Sequence, residues 1–175
     1  MSPLPARRYI IYGNKDRANA LWSFTLKRLI RKIWRRLPGG LRLRAIRMSQ
    51  PKFTASSAVV IANGSGEVLL LDHVLRPFSG WGLPGGFISH GEQPEEAVRR
   101  EVSEEVGIEL TSVSLYSVRC LDRHIEFIFS ARTDGEPEVK SHEIIGFGWF
   151  AADGLPDKLS RAQASIIRSV LSDAD

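Results

Sequence analysis

The stretch that decides the fold runs from Trp81 to Ile108. It opens with Trp81-Gly82-Leu83-Pro84-Gly85-Gly86 and continues through Glu92 into Pro94-Glu95-Glu96-Ala97-Val98-Arg99-Arg100-Glu101-Val102-Ser103-Glu104-Glu105-Val106-Gly107-Ile108. Three glycines and a proline in the first six residues are too many breakers for a helix. From Pro94 to Val106 the pattern changes. Ala97, Val98, Val102 and Val106 recur at offsets of one, four and four, which is the apolar stripe of a helix. The same helix has a second face, because Glu101, Glu104 and Glu105 stand at i, i+3 and i+4 and project from one side within about a turn. Glu92 precedes the helix and Arg100 adjoins Glu101. Crowded carboxylates repel one another by about a few tenths of a kcal/mol per pair even when exposed. A hard divalent cation relieves that repulsion, and oxygen-only ligands favour Mg²⁺ or Mn²⁺ over zinc. On spacing alone, a solvated acidic face with one arginine partner explains the carboxylates equally well. Gly85-Gly86 favours the ion, since glycines let backbone carbonyls and amides approach a cation or a phosphate closely.

Outward from this segment, the flanking runs read as strands. Ala58-Val59-Val60-Ile61-Ala62 is closed by the turn signal Asn63-Gly64-Ser65-Gly66, and Val68-Leu69-Leu70-Leu71 follows, so the pair reads as a hairpin or meander. Three more strand-like runs cover Val113 to Val118, Ile125 to Ala131 and Ile144 to Phe150. A closing helix is expected from about Ser160, its N-cap, to Leu171. The body is thus mixed α and β, dominated by strands, with two principal helices.

The 175 residues suffice for one domain with its own core. The net charge of +4 conceals an asymmetry. The first 50 residues carry thirteen Lys and Arg against one acid, Asp16, for a formal charge of +12, whereas the rest carries −8. Between Asn19 and Leu37, Trp22, Leu26, Leu29, Ile30, Ile33, Trp34 and Leu37 recur at helical spacing, with Lys27, Arg28, Arg31, Lys32, Arg35 and Arg36 between them. That predicts a basic amphipathic helix over about residues 19–37. Its stripe packs on the body or on a second copy in a homodimer, or it contacts an anionic membrane surface or nucleic acid; the sequence leaves these open. Boundaries fall at Leu37-Pro38-Gly39-Gly40 and at Ser49-Gln50-Pro51-Lys52, which predicts an arm over 1–50 and a folded body over 51–175. No run of 18 or more uncharged apolar residues is present for a spanning helix. The single cysteine, Cys120, excludes an internal disulfide framework and fits a reducing compartment such as the cytoplasm.

The string Gly86-x5-Glu92-x7-Arg100-Glu101-Val102-x-Glu104-Glu105-x-Gly107-Ile108 resembles the Nudix box at all nine positions it defines over 23 residues. The lead-in from Trp81, and Glu143 ahead of a strand ending in Trp149-Phe150, resemble that family too. The resemblance implies an α/β (α+β) sandwich: a mixed sheet with helices on both sides. It also implies Mg²⁺-dependent hydrolysis, with Mn²⁺ as substitute, of a phosphoanhydride in a nucleoside diphosphate linked to another group, such as ADP-ribose or a nucleotide sugar. Carried over residue by residue, Glu101, Glu104 and Glu105 face the metal and the Gly86 carbonyl completes its coordination. Arg100 orients a neighbouring glutamate and Glu92 braces the loop. The general base is Glu101 or an acid from a later loop, with Glu143 the best such candidate; an exposed loop acid is the plain alternative for Glu143. Other readings within the family are a non-catalytic module, or one directed at RNA ends with the arm supplying phosphate contacts.

Arg76, Phe78 and Trp81 are candidates for binding the small-molecule nucleotide, Arg76 through phosphate and the aromatics by stacking, although solvation and packing explain them as well. His73, His90, His124 and His142 show no metal-ligand spacing. The proline or tyrosine markers that some family subgroups carry after the box are missing near Arg123–Glu126, so the leaving group stays open.

Overall fold

A computed structural model describes residues 17–76 and 80–173, with side chains from residue 26 onward. The chain divides into two compact units, Met1–Pro51 and Lys52–Asp175.

In the first unit the described residues form α1 (Arg17–Arg36) and α2 (Gly39–Ser49). The amphipathic helix expected over 19–37 is present as α1. The breakers at 37–40 do more than stop it. Leu37 N–H still donates to the Ile33 carbonyl at 3.1 Å, and Pro38 (φ −53°, ψ 145°) then sits as the N-cap of a second helix. Its carbonyl accepts from Leu41 and Arg42 N–H at 3.0 and 3.1 Å. Proline lacks the amide a continuing helix would need, yet its fixed φ suits the residue where a new helix begins.

The second unit is built on one seven-stranded mixed sheet: β1 (Thr54–Ala62), β2 (Val68–His73), β3 (Trp81–Gly82), β4 (Gly85–Phe87), β5 (Thr111–Leu121), β6 (His124–Arg132) and β7 (Ile144–Phe150). β1 runs parallel to β6 from Thr54 beside His124 to Ala62 beside Arg132. The other pairings, β1 with β2 and β4, β2 with β3 and β7, and β5 with β6, are antiparallel. Helix α3 (Pro94–Val106) follows β4, and α4 (Arg161–Ser172) closes the chain, capped by Ser160, whose Oγ accepts from Gln163 N–H at 3.2 Å.

Each central strand is buried on both faces, which is why its sequence reads as a continuous apolar run rather than an alternation. Val59, Ile61, Leu69 and Leu71 point to one side and pack with Val98, Val102 and Val106 of α3. Val60, Val68 and Leu70 point to the other and pack with Ile167 and Val170 of α4. The period of two thus divides one apolar run between two cores. The result is the helix–sheet–helix sandwich that the resemblance implies. Each fully buried α3 valine contributes roughly 1.5 kcal/mol of transfer free energy, enough to fix which face of the helix is left for the carboxylates.

Candidate active site

The Gly-rich lead-in resolves into two short strands, and their geometry depends on one glycine. At Gly85 φ is +138°, and a Cβ there would collide with the backbone of Ser57 and Ala58 on β1. Only glycine allows β4 to lie against β1 at that point. Gly86 is tight for a different reason. A Cβ on it would overlap the carboxylate of Glu101, so that side chain lies directly against the Gly86 backbone.

Helix α3 begins with Pro94 and a capping box in which Gln93 N–H donates to Glu96 Oε2 at 3.0 Å. It ends on Gly107 in the left-handed conformation, φ 69°. With both ends fixed, Arg100 gathers the acidic face. Its Nε and Nη2 donate to the two oxygens of Glu92 at 2.7 and 3.1 Å, and Nη1 donates to Glu101 Oε1 at 2.9 Å and Glu104 Oε2 at 3.2 Å. Nη2 also donates to the Phe87 carbonyl at 3.2 Å. Glu92 accepts the Ser89 amide at 2.7 Å as well. These hydrogen bonds, Arg100 first, hold its carboxyl down to about 2. Glu92 and Arg100 therefore close the loop onto the helix.

Glu105 lies in the opposite environment. It is 8% exposed, accepts a hydrogen bond from Gly85 N–H at 3.1 Å, and stands 3.8 Å from His73 Nδ1. Desolvation pushes its carboxyl up to about 8, against the pull of the Gly85 amide. Negative charge on Glu101 and Glu143 raises it further, while Arg76 lowers it. His73 gives no ionic help, since burial and then Arg76 lower it to about 4, leaving it neutral. Among the described residues its buried Nε2 has no hydrogen-bond partner.

Glu143 is exposed. It is tied in through its backbone, where its carbonyl accepts Val74 N–H at 2.9 Å and its amide donates to Ser141 Oγ at 3.2 Å. The bond from Val74 joins the loop after residue 140 to the end of β2, next to the His73 that stands beside Glu105. Lys140 N–H bonds the Glu105 carbonyl at 3.0 Å, which docks that loop on the end of α3.

Arg76 turns inward, its Nη2 donating to the Leu83 carbonyl at 2.8 Å with the guanidinium over Gly82. Trp81 packs edge-on against Phe150, centroids 5.1 Å apart, at the margin of the α4-side core. Phe78 lies outside the described residues. His73 had no distinguishing spacing; only the pairing of β2 with β3 and β7 brings it beside Glu105. The clefts lined by Ala62, Arg132 and Leu171 on the α4 side include none of these carboxylates, so concavity alone does not mark the site.

Among the described residues no three His, Cys, Asp or Glu side chains already form a metal-ligating cluster. The reason is visible in Arg100, which draws Glu101 and Glu104 to itself. The donor set nevertheless fits a hard divalent cation. It is all oxygen, and it includes one carboxylate, Glu105, raised by desolvation and then by the charges of Glu101 and Glu143 while the Gly85 amide holds it.

Residues 52–170 match the family model described as NUDIX domain. A MutT-like protein of Streptomyces ambofaciens is 33% identical over 132 residues, covering 72% of this chain and 82% of that one. An 8-oxo-dGTP diphosphatase of Proteus vulgaris is 33% identical over 88 residues, 47% of this chain and 79% of its own. A MutT NUDIX hydrolase from Burkholderia pseudomallei superposes with a TM-score of 0.60 at 32% identity, covering 71% of this chain and 99% of that chain. With the family model spanning most of its length and the box intact on α3, the chain belongs to the Nudix family and is a pyrophosphatase-type hydrolase.

Proposed function

We propose that residues 51–175 form a Mg²⁺-dependent hydrolase of a phosphoanhydride bond in a nucleoside diphosphate linked to another group, acting in the cytoplasm. The observation that carries this reading is Glu105, a carboxylate buried beside Gly85-Gly86 and Glu101 with too little positive charge to balance it. Glu101, Glu104 and Glu105, with the Gly86 carbonyl, would hold the ion. When bound, Mg²⁺ neutralises phosphate charge and acidifies water. Arg100 fixes Glu101 through Nη1 and is itself anchored by Glu92. Glu143, on the loop docked against α3, takes the proton from the attacking water at its carboxylate. Arg76 contributes positive charge on the inner wall, and Trp81 keeps the Gly-rich strand packed rather than stacking on a base.

The substrate class follows only as far as chemistry allows. The missing proline and tyrosine markers weaken the ADP-ribose and dinucleoside polyphosphate assignments alike, and both stay in the panel beside nucleotide sugars. The Proteus vulgaris relative's name adds 8-oxo-dGTP to it. The test is a turnover panel with Mg²⁺ in ¹⁸O-water, with products read by mass spectrometry. Cleavage of one class, with label on one phosphate, supports the reading. No anhydride cleavage in any member, with metal binding measured, would overturn it.

A further inference from the structure

The first unit carries a face that the chemistry of the body does not use. At 100° per residue, Leu26, Leu29, Ile30, Ile33 and Leu37 fall within one arc of about 100° on the axis of α1. Leu26, Leu29, Ile30 and Ile33 are each more than half exposed. Trp34 borders the stripe on one side and Arg36 on the other, and Lys27, Arg31, Lys32 and Arg35 take most of the remaining circumference. Helix α2 adds Leu41, Leu43 and Met48, also about half exposed or more, with Arg44 and Arg47. No Asp or Glu occurs between Arg17 and Pro51. Like charges therefore stand one turn apart at Lys27/Arg31, Arg31/Arg35 and Lys32/Arg36 with no acid in the segment to offset them.

Two unmet needs coincide on one short segment: an apolar stripe left more than half exposed within its own unit, and a cationic face that wants anions. A second copy of the chain would cover the stripe but bring two strongly basic arms together. A nucleic acid would neutralise the charge but leave the leucines and isoleucines in water. An anionic bilayer meets both at once, with the stripe in the acyl boundary and the basic side chains at the headgroups. Among the described residues no helix is long and apolar enough to cross a membrane, so the helix would lie in the plane of the surface.

We propose that α1, with α2 beside it in sequence, is an amphipathic anchor that binds the full chain to an anionic lipid surface. The test uses the full chain and co-sedimentation with phosphatidylcholine vesicles with and without phosphatidylglycerol, at low and high salt. Binding is expected to the anionic vesicles alone and to weaken as added salt shortens the screening length. Leu29→Ala with Ile33→Ala keeps charge and helix propensity, and should lower partitioning about 10-fold or more. Arg31→Gln, Lys32→Gln and Arg35→Gln together should lower it about 10²-fold. Turnover of a soluble substrate and far-ultraviolet dichroism, unchanged in both variants, show that each is folded. Absence of binding to anionic vesicles at low salt overturns the proposal. So does tight binding of single-stranded RNA that the Leu29/Ile33 variant retains, which would assign the arm to nucleic acid. A dimer by light scattering that this variant dissolves, without vesicle binding, would assign the stripe to a second copy.

Discussion

Arg100 holds both oxygens of Glu92, at 2.7 and 3.1 Å, across eight residues of sequence. The contact ties the loop that follows Gly86 to the middle of α3, and leaves the same guanidinium one nitrogen with which to reach Glu101 and Glu104. Removing Arg100 therefore frees Glu101 and Glu104, the carboxylates proposed to face the metal, and loosens the loop in one step. Arg100→Ala should cut turnover about 10- to 100-fold and weaken Mg²⁺ binding, as supporting residues around metal ligands do. Arg100→Lys should rescue little, because an ammonium cannot hold Glu92 with two parallel bonds. Steady-state kinetics over a Mg²⁺ titration decide it; wild-type kinetics in the alanine variant would remove Arg100 from the site.

Glu104→Gln combined with Glu105→Gln is expected to abolish metal-dependent turnover while leaving the fold intact. At position 105 the neutral amide also removes a desolvated charge. The metal-free double variant should consequently melt no lower than wild type near pH 8. Turnover equal to wild type would sink the metal assignment.

Glu143→Gln tests the base separately from the ligands. A general base contributes about 10²–10⁴-fold, so kcat should fall within that range while Mg²⁺ affinity, read by calorimetry, stays put. If instead Glu143→Gln is silent while Glu101→Gln loses turnover even at saturating Mg²⁺, the proton goes to the glutamate on α3.

The two glycines should fail differently. Gly85→Ala forces a Cβ into the backbone of Ser57 and Ala58 at φ +138°, which neither strand can yield to, so thermal stability should drop by about 2–4 kcal/mol. Gly86→Ala meets only the end of the Glu101 side chain, which can swing away. Its melting temperature should hold while activity falls, because Glu101 and the Gly86 carbonyl are displaced. Melting curves beside activity assays separate the two.

The metal-free protein should lose stability as pH rises from about 6.5 to about 8. Glu105 titrates near 8 folded against 4.5 unfolded, so over that range the folded state binds the extra proton and stability declines with pH. His73, lowered to about 4 from 6.5, acts with the opposite sign between those values and offsets Glu105 there. Above 6.5 Glu105 stands alone, and the decline amounts to about 2 kcal/mol. Saturating divalent cation should cancel it, and Glu105→Gln should remove it. A flat or rising stability between pH 6.5 and 8 in the metal-free wild type would contradict the buried-carboxylate account.

Local chemistry made much of this legible. Breakers, caps and periods of two and 3.6 depend on neighbours within a few residues, so α3, α4 and the five long strands stand close to where their residues place them. The amphipathic α1 is likewise written in its own spacing. The second helix was hidden, since Pro38-Gly39-Gly40 carries the signal of a stop and also that of a start.

What sequence determined is therefore the set of side chains on each helical face, including three glutamates that one turn of α3 must present together. What only the tertiary structure decided is how different those glutamates are. Glu104 is left exposed beside Arg100, while Glu105 is buried against Gly85 and His73 at a raised pKa. That difference comes from strands far away in sequence, β2 carrying His73 and β4 carrying Gly85, closing over one side of the helix. Desolvation is a property of what covers a group, and no spacing along α3 encodes it.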